Sequence, residues 1–192
     1  RLSLCVSIAS LLLAAASQAA SPFNGKDLDD WKTKPQGKNT DRWSVGVAAV
    51  HPERPNELIV KEGAGEMINT PSKANGKSLD IYSTFTHGDA RIELEIMVPK
   101  GSNSGIYLHG EYEIQVLDSY GRTKLGMGDM GAIYGAKPPA MNACKKPGEW
   151  QKYEILFHAP KYKDGKKVKN AHVEKVVLNG KVIQENVELP KP

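Results

Sequence analysis

The amino-acid sequence predicts an all-β fold, and three observations carry that prediction. From Trp43 onward, short runs of alternating apolar and polar residues recur between Gly, Pro, Asn and Asp punctuation. No stretch holds a helical apolar period for three turns. Asn179-Gly180, set between Val176-Val177-Leu178 and Val182-Ile183, is a strong hairpin dipeptide. The expected strands are Trp43 to Val50, Glu57 to Lys61, Glu66 to Asn69, Ser78 to Phe85, Arg91 to Val98, Gly105 to His109, Tyr112 to Leu117, Gly131 to Tyr134, Trp150 to His158, Ala171 to Asn179 and Lys181 to Glu188. This many short strands implies a sandwich or a barrel.

Alternation also assigns faces. Ile92, Leu94, Ile96 and Val98 share one side of their strand, with Arg91, Glu93 and Glu95 on the other, the pattern of a sheet buried on one face. Tyr153, Ile155 and Phe157 alternate in the same way with Lys152, Glu154 and His158. Asp118 to Met130, with Gly121, Gly126 and Gly128, reads as a loop beside the sheet. Long loops on a rigid scaffold commonly carry function.

The 192 residues, 40% apolar and 25% charged, have the composition of one globular domain rather than of a disordered or fibrous chain. A core of that size buries roughly 70% of the unfolded surface without metal or disulfide staples. A balance of 26 basic to 22 acidic residues is too mild and too evenly spread to imply a nucleic-acid partner. The densest basic run, Lys161, Lys163, Lys166, Lys167 and Lys169, is broken by the turn dipeptide Asp164-Gly165 and reads as a solvated hairpin tip.

Residues 1 to 20 are expected to be a secretory signal peptide. Arg1 precedes an apolar run through Leu11-Leu12-Leu13, followed by the small residues Ala14 to Ala20, and the run is shorter than the roughly 20 residues of a spanning helix. The expected domain is therefore residues 21–192, periplasmic or extracellular, with no membrane span after the leader is removed. Loss of Arg1 and Cys5 leaves Cys144 as the one cysteine, so no intrachain disulfide can form. A lone exported thiol is expected to be a buried structural residue. Trp43 and Trp150 are likewise expected in the core, and Trp31 is open to either role.

Asn103 to Asp118 is the most informative stretch. It reads as two strands around Gly110, and loop length decides its facing. A two-residue loop would mix apolar and polar residues on each face. A three-residue loop sends Ile106, Leu108, Ile114 and Val116 into the core and Tyr107, His109, Glu113 and Gln115 outward, with Gly110 supplying a positive φ. The outcome is an exposed patch of hydroxyl, imidazole, carboxylate and carboxamide groups with Asp118 at its edge. Such an inventory suits a hydroxyl-rich ligand such as a sugar, with Tyr107, Tyr134 and a tryptophan as stacking faces.

Other catalytic templates are missing. The sequence contains no Walker loop, Rossmann fingerprint, HExxH or GxSxG. His51, His87, His109, His158 and His172 lack metal-ligand spacing, which argues against a dedicated zinc site and leaves open a calcium ion held by loop carboxylates and carbonyls.

Six segments then carry a resemblance: Phe23-Asn24-Gly25-Lys26-Asp27-Leu28-Asp29-Asp30-Trp31, Asn103 to Leu108, Tyr112 to Asp118, Gly131-Ala132-Ile133-Tyr134, Gly148-Glu149-Trp150 and Leu178-Asn179-Gly180. In order and spacing the chain resembles the 3-keto-disaccharide hydrolase domain family, from about residue 23 to its end. The resemblance implies a concanavalin A-like jelly-roll β-sandwich, an exported protein, and an oligosaccharide or glycoside substrate. Relatives continue past Pro192, so the sandwich is expected to lack its last strand within these residues. The implied chemistry is cleavage of a glycoside oxidised at C3, by hydrolysis or elimination, because a C3 ketone acidifies the hydrogen at C2. On facing and motif position, Glu113 is the candidate base or acid and Tyr107 and His109 the candidate donors. Gln115, Asp118, Tyr134 and Asn142 are the candidate sugar-orienting groups. A non-catalytic carbohydrate-binding sandwich with the same groove is the alternative.

Overall fold

Asn179 and Gly180 take φ values of 51° and 78°, and Asp164 and Gly165 take 51° and 73°. Paired positive φ values suit tight two-residue hairpin turns, so both dipeptides reverse the chain where the sequence places them. The computed structural model describes residues 20–189. The signal segment of residues 1–20 falls, but for Ala20, outside the described residues. Twelve strands and no helix are found among those described: β1 (Trp31–Lys34), β2 (Trp43–Val50), β3 (Leu58–Asn69), β4 (Asp80–Ser83), β5 (Ala90–Met97), β6 (Asn103–Leu108), β7 (Tyr112–Leu117), β8 (Trp150–His158), β9 (Lys161–Lys163), β10 (Lys166–Lys169), β11 (Ala171–Leu178) and β12 (Lys181–Leu189). None of the described residues forms a helix long and apolar enough to cross a membrane.

The largest sheet is antiparallel in the order β12-β11-β8-β5. Its inner face presents Tyr153, Ile155 and Phe157 from β8, Val173, Val176 and Leu178 from β11, and Ile183 and Leu189 from β12, all at most 3% exposed. Leu108, Ile114 and Val116 of the β6–β7 hairpin meet them in one hydrophobic cluster, with Ile92, Leu94 and Ile96 of β5 packed at its margin. Two sheet faces closing on a shared apolar layer make a β-sandwich, as the alternation predicts. Each fully buried side chain of this kind contributes roughly 1.5–3 kcal/mol.

Several expected boundaries need correction. Glu57 to Lys61 and Glu66 to Asn69 are halves of one strand, β3, whose ladder with β2 jumps from Gly46↔Glu66 to Val47↔Lys61. Residues 62–65 bulge out between them, and Gly63 and Gly65 permit this at φ values of 138° and 121°. Gly131 to Tyr134 is a strap along β7 rather than a full strand. It bonds through Gly131 N to Gln115 O, Gln115 N to Ala132 O and Tyr134 N to Glu113 O, at 2.8, 2.9 and 3.0 Å. Ile133 then turns back to bond with Lys137, which ends the ladder after a single bridge. The short strands β1, β9 and β10 fall below the length at which alternation is readable.

Asp118 to Met130 is free of strand, as expected, yet it is tightly braced. Ser119 and Asp129 are 0% and 5% exposed, and Asp129 accepts bonds from Ser119 Oγ, Arg122 and the Gly126 N–H at 2.7–2.8 Å. Trp43 and Trp150 are half-buried rather than core, and Trp43 Nε1 donates to Leu79 O at 2.9 Å. Cys144 is free and half-buried, and burial pushes its thiol up.

Asp89, just before β5, ties that strand to the β8–β9 junction. It accepts bonds from Lys161 Nζ and Ala159 N at 2.8 Å each, and these two donors, aided by His158, hold its pKa at about 2. A lowered carboxylate pKa stabilises the fold above about pH 4, and that stability is lost as pH falls through about 2. Asp89→Asn should therefore lower stability at pH 7 by less than about 1 kcal/mol, since the pair is half exposed and screened. The difference from wild type should shrink as pH falls towards 2 and vanish only below it in denaturant titrations.

Candidate functional site

The β6–β7 turn contains His109, Gly110 and Glu111, closed by a Glu111 N to Leu108 O bond of 3.1 Å. His109 and Gly110 adopt φ values of 53° and 70°, the left-handed pair the turn requires. This three-residue loop sets Tyr107 opposite Glu113, Ile106 opposite Ile114 and Gly105 opposite Gln115. Ile114 and Val116 are fully buried, and Tyr107 on the other face is 55% exposed.

Across that outer face, Tyr107 Oη donates to Glu113 Oε2 at 2.9 Å. The carboxylate lies over Gly105, where a Cβ would come within 2.2 Å of Glu113 Oε1. Any side chain at that position would displace Glu113 from its bond to Tyr107. Burial of the hydroxyl end, then the Glu113 bond and charge, then Asp80, push the Tyr107 pKa up to about 12. Through the neutral range the phenol is therefore a proton donor.

The strap beside β7 completes the patch. It brings Tyr134, 55% exposed, near enough to Tyr107 to add to that shift. Beneath it Gln115 is only 2% exposed; its Nε2 donates to Asn103 Oδ1 at 2.9 Å. Its Oε1 is buried and has no hydrogen-bond partner among the described residues. Gln115 is thus covered rather than part of an exposed patch as the alternation predicts, and its unpaired buried acceptor costs about 1–3 kcal/mol.

Tyr107, Glu113 and Tyr134 are thus brought together, with Gln115 buried beneath them, and three other candidates are not. His109 departs from the outward face because its positive φ breaks the alternation. Its ring packs edge-on against the core residue Phe157 at 5.0 Å and against His87 at 4.7 Å, and Nε2 bonds His87 O at 2.9 Å. Asp118 spends Oδ2 on Gly101 N at 2.9 Å and Oδ1 on Tyr120 N at 3.3 Å. Asn142 donates to Ser119 O and Arg122 O at 2.7 and 3.0 Å and accepts from Cys144 N at 3.0 Å, so it braces the 118–130 loop.

Sequence reasoning missed Asp80 and Gln36. Asp80, on β4, is the second carboxylate acting on Tyr107, and it accepts a hydrogen bond from Gln36 Nε2. Their signal in the sequence is weak, because β1–β4 pairing joins residues far apart in the chain. No group of three or more His, Cys, Asp or Glu among the described residues is placed to hold a metal ion.

Glu113→Gln should remove both the charge and the acceptor geometry that hold the Tyr107 proton. The Tyr107 midpoint is then expected to fall from about 12, remaining above the ordinary phenol value because burial persists. Spectrophotometric titration of this variant against Tyr107→Phe isolates the group.

Residues 18–192 match the 3-keto-alpha-glucoside-1,2-lyase-like domain. Among solved structures, a Parabacteroides distasonis protein provisionally described as a glycosyl hydrolase superposes with a TM-score of 0.64 at 32% identity. That match covers 91% of this chain and 67% of the relative's length. A second protein of that organism and description gives a TM-score of 0.43 at 27% identity, covering 55% of this chain and 54% of its own. No curated protein is detectably similar to the chain.

Proposed function

From its membership of the 3-keto-alpha-glucoside-1,2-lyase-like domain family, we propose that the chain is an exported enzyme that cleaves the glycosidic bond of 3-keto-glycosides on the outer face of the β6–β7 hairpin. The family and the glycosyl hydrolase description of its solved neighbour support a carbohydrate-cleaving role. The observation that carries the reading further is the Tyr107–Glu113 bond, a protonated phenol aimed at a carboxylate on an exposed sheet face.

A ketone at C3 makes the C2 hydrogen acidic enough for one carboxylate to remove. In this reading Glu113 takes that proton and Tyr107 turns its O–H from Glu113 to the C3 oxygen, where enolate charge develops. The enolate electrons then form the C1–C2 double bond as the C1–O bond breaks, and the proton held on Glu113 balances the departing alkoxide. Addition of water across the double bond would complete a net hydrolysis. Tyr134, exposed beside the pair, offers a ring face to the sugar, while Gln115 lies buried beneath the patch and supports it through Asn103. His109, Asp118 and Asn142 are left out of the reacting set because their contacts are spent on scaffold.

Removing a general base costs about 10²–10⁴ in rate, and removing one donor to developing oxyanion charge costs about 10²–10³. Glu113→Gln and Tyr107→Phe should thus lower kcat on 3-keto-trehalose by those factors while binding persists. Unoxidised trehalose should be untouched. Sugar release is followed with and without added calcium. Release from neither sugar, by folded protein tested on several keto-glycosides, would replace this reading with that of a carbohydrate-binding sandwich.

A further inference from the structure

We propose that the β9–β10 hairpin is a separate binding site for a polyanionic glycan, a carbohydrate chain carrying carboxylate or sulfate groups. The ladder sets Lys163 opposite Lys166 and, beyond a bulge at Val168, Lys161 opposite Lys169, so four lysines stand on one face of a two-stranded ribbon. Directly opposed like charges destabilise a strand pair, and an isolated hairpin is marginal to begin with. Only one of the four is neutralised, by the Lys161–Asp89 ion pair of 2.8 Å. Among the described residues Lys163, Lys166 and Lys169 make no ion pair, and all three are exposed.

The arrangement is held in place. Asp89 clamps the base of the hairpin through Ala159 N and Lys161 Nζ. Tyr162 and Lys167 form the opposite face, and Tyr162 lies close enough to Tyr112 to oppose its ionisation. The lysine face therefore turns to solvent. Alternate residues on a strand lie about 6.6 Å apart and directly opposed ones about 5 Å. A polymer with repeated anions would relieve the repulsion at several points at once, which a single small anion would not.

The remaining partners fit less well. No aromatic side chain shares the lysine face to insert into a lipid surface or to stack on nucleic-acid bases. Lysines placed only to block edge-to-edge strand pairing need not stand opposite one another. That the charge is borne on a glycan rests on the glycoside reading above. The two are scored apart, anion binding here and turnover there.

The test is calorimetric titration of the full chain with polygalacturonate at salt concentrations where the Debye length is about 30 Å and about 3 Å. The wild type should bind at low salt and lose that binding at high salt. The triple variant Lys163→Gln, Lys166→Gln, Lys169→Gln should bind at least about tenfold more weakly, with an unchanged or higher Tm and unchanged turnover on 3-keto-trehalose. Lys166→Gln alone, which leaves two of the three free ammoniums, should show an intermediate loss. Absence of binding at low salt, or equal affinity in wild type and variants, overturns the proposal. Lysine-dependent binding to phosphatidylglycerol vesicles that matches or exceeds binding to the glycan would replace it with a membrane surface.

Discussion

The turn at His109, Gly110 and Glu111 is the constraint on which the candidate site depends. Side chains alternate faces along a strand, so a one-residue change in this loop would send Ile114 and Val116 to solvent and Glu113 and Gln115 into the core. Two positive φ values fix its length, and the buried Leu108–Ile114–Val116 set makes any other register costly. The polar face is thus held by the same contacts that close the sandwich. Tyr107 meets Glu113 because the core side of the hairpin leaves no alternative.

A second layer of support is polar and buried. Gln151 accepts from Lys145 N and Asn179 Nδ2, while Gln184 donates to Gly131 O, Lys137 O and Pro138 O. Tyr153 Oη reaches Gln115 O at 3.1 Å from the opposite sheet, and burial pushes its own ionisation far up. These bonds pin the strap of residues 131–134 and the loops around it against β7. Several buried bonds from each of these side chains hold one arrangement, so the loops beside the site are part of the scaffold rather than loose additions to it.

Much of this was legible in the sequence. The sandwich class, the alternation of β5 and β8, both two-residue turns and the three-residue loop follow from period-2 patterning and from dipeptides that tolerate positive φ. The pairing of Tyr107 with Glu113 follows from that loop. What was not legible depends on contacts distant in sequence. Alternation alone could not show that Asn142 and Asp118 would be consumed by backbone groups, or that β4 would bring Asp80 to Tyr107. His109 was misassigned because a residue with positive φ leaves the alternation of its strand.

In the proposed reaction Glu113 removes a proton from C2 of a 3-keto sugar while Tyr107 steadies the enolate. Proton transfer at C2 leaves a trace that bond cleavage alone does not. Incubation of a 3-keto-glycoside with the protein in D₂O, with NMR of product and recovered substrate, reads that trace directly. Deuterium at C2, lost in Glu113→Gln, is the expected result. Cleavage with the C2 hydrogen fully retained would contradict it and point instead to direct displacement at C1.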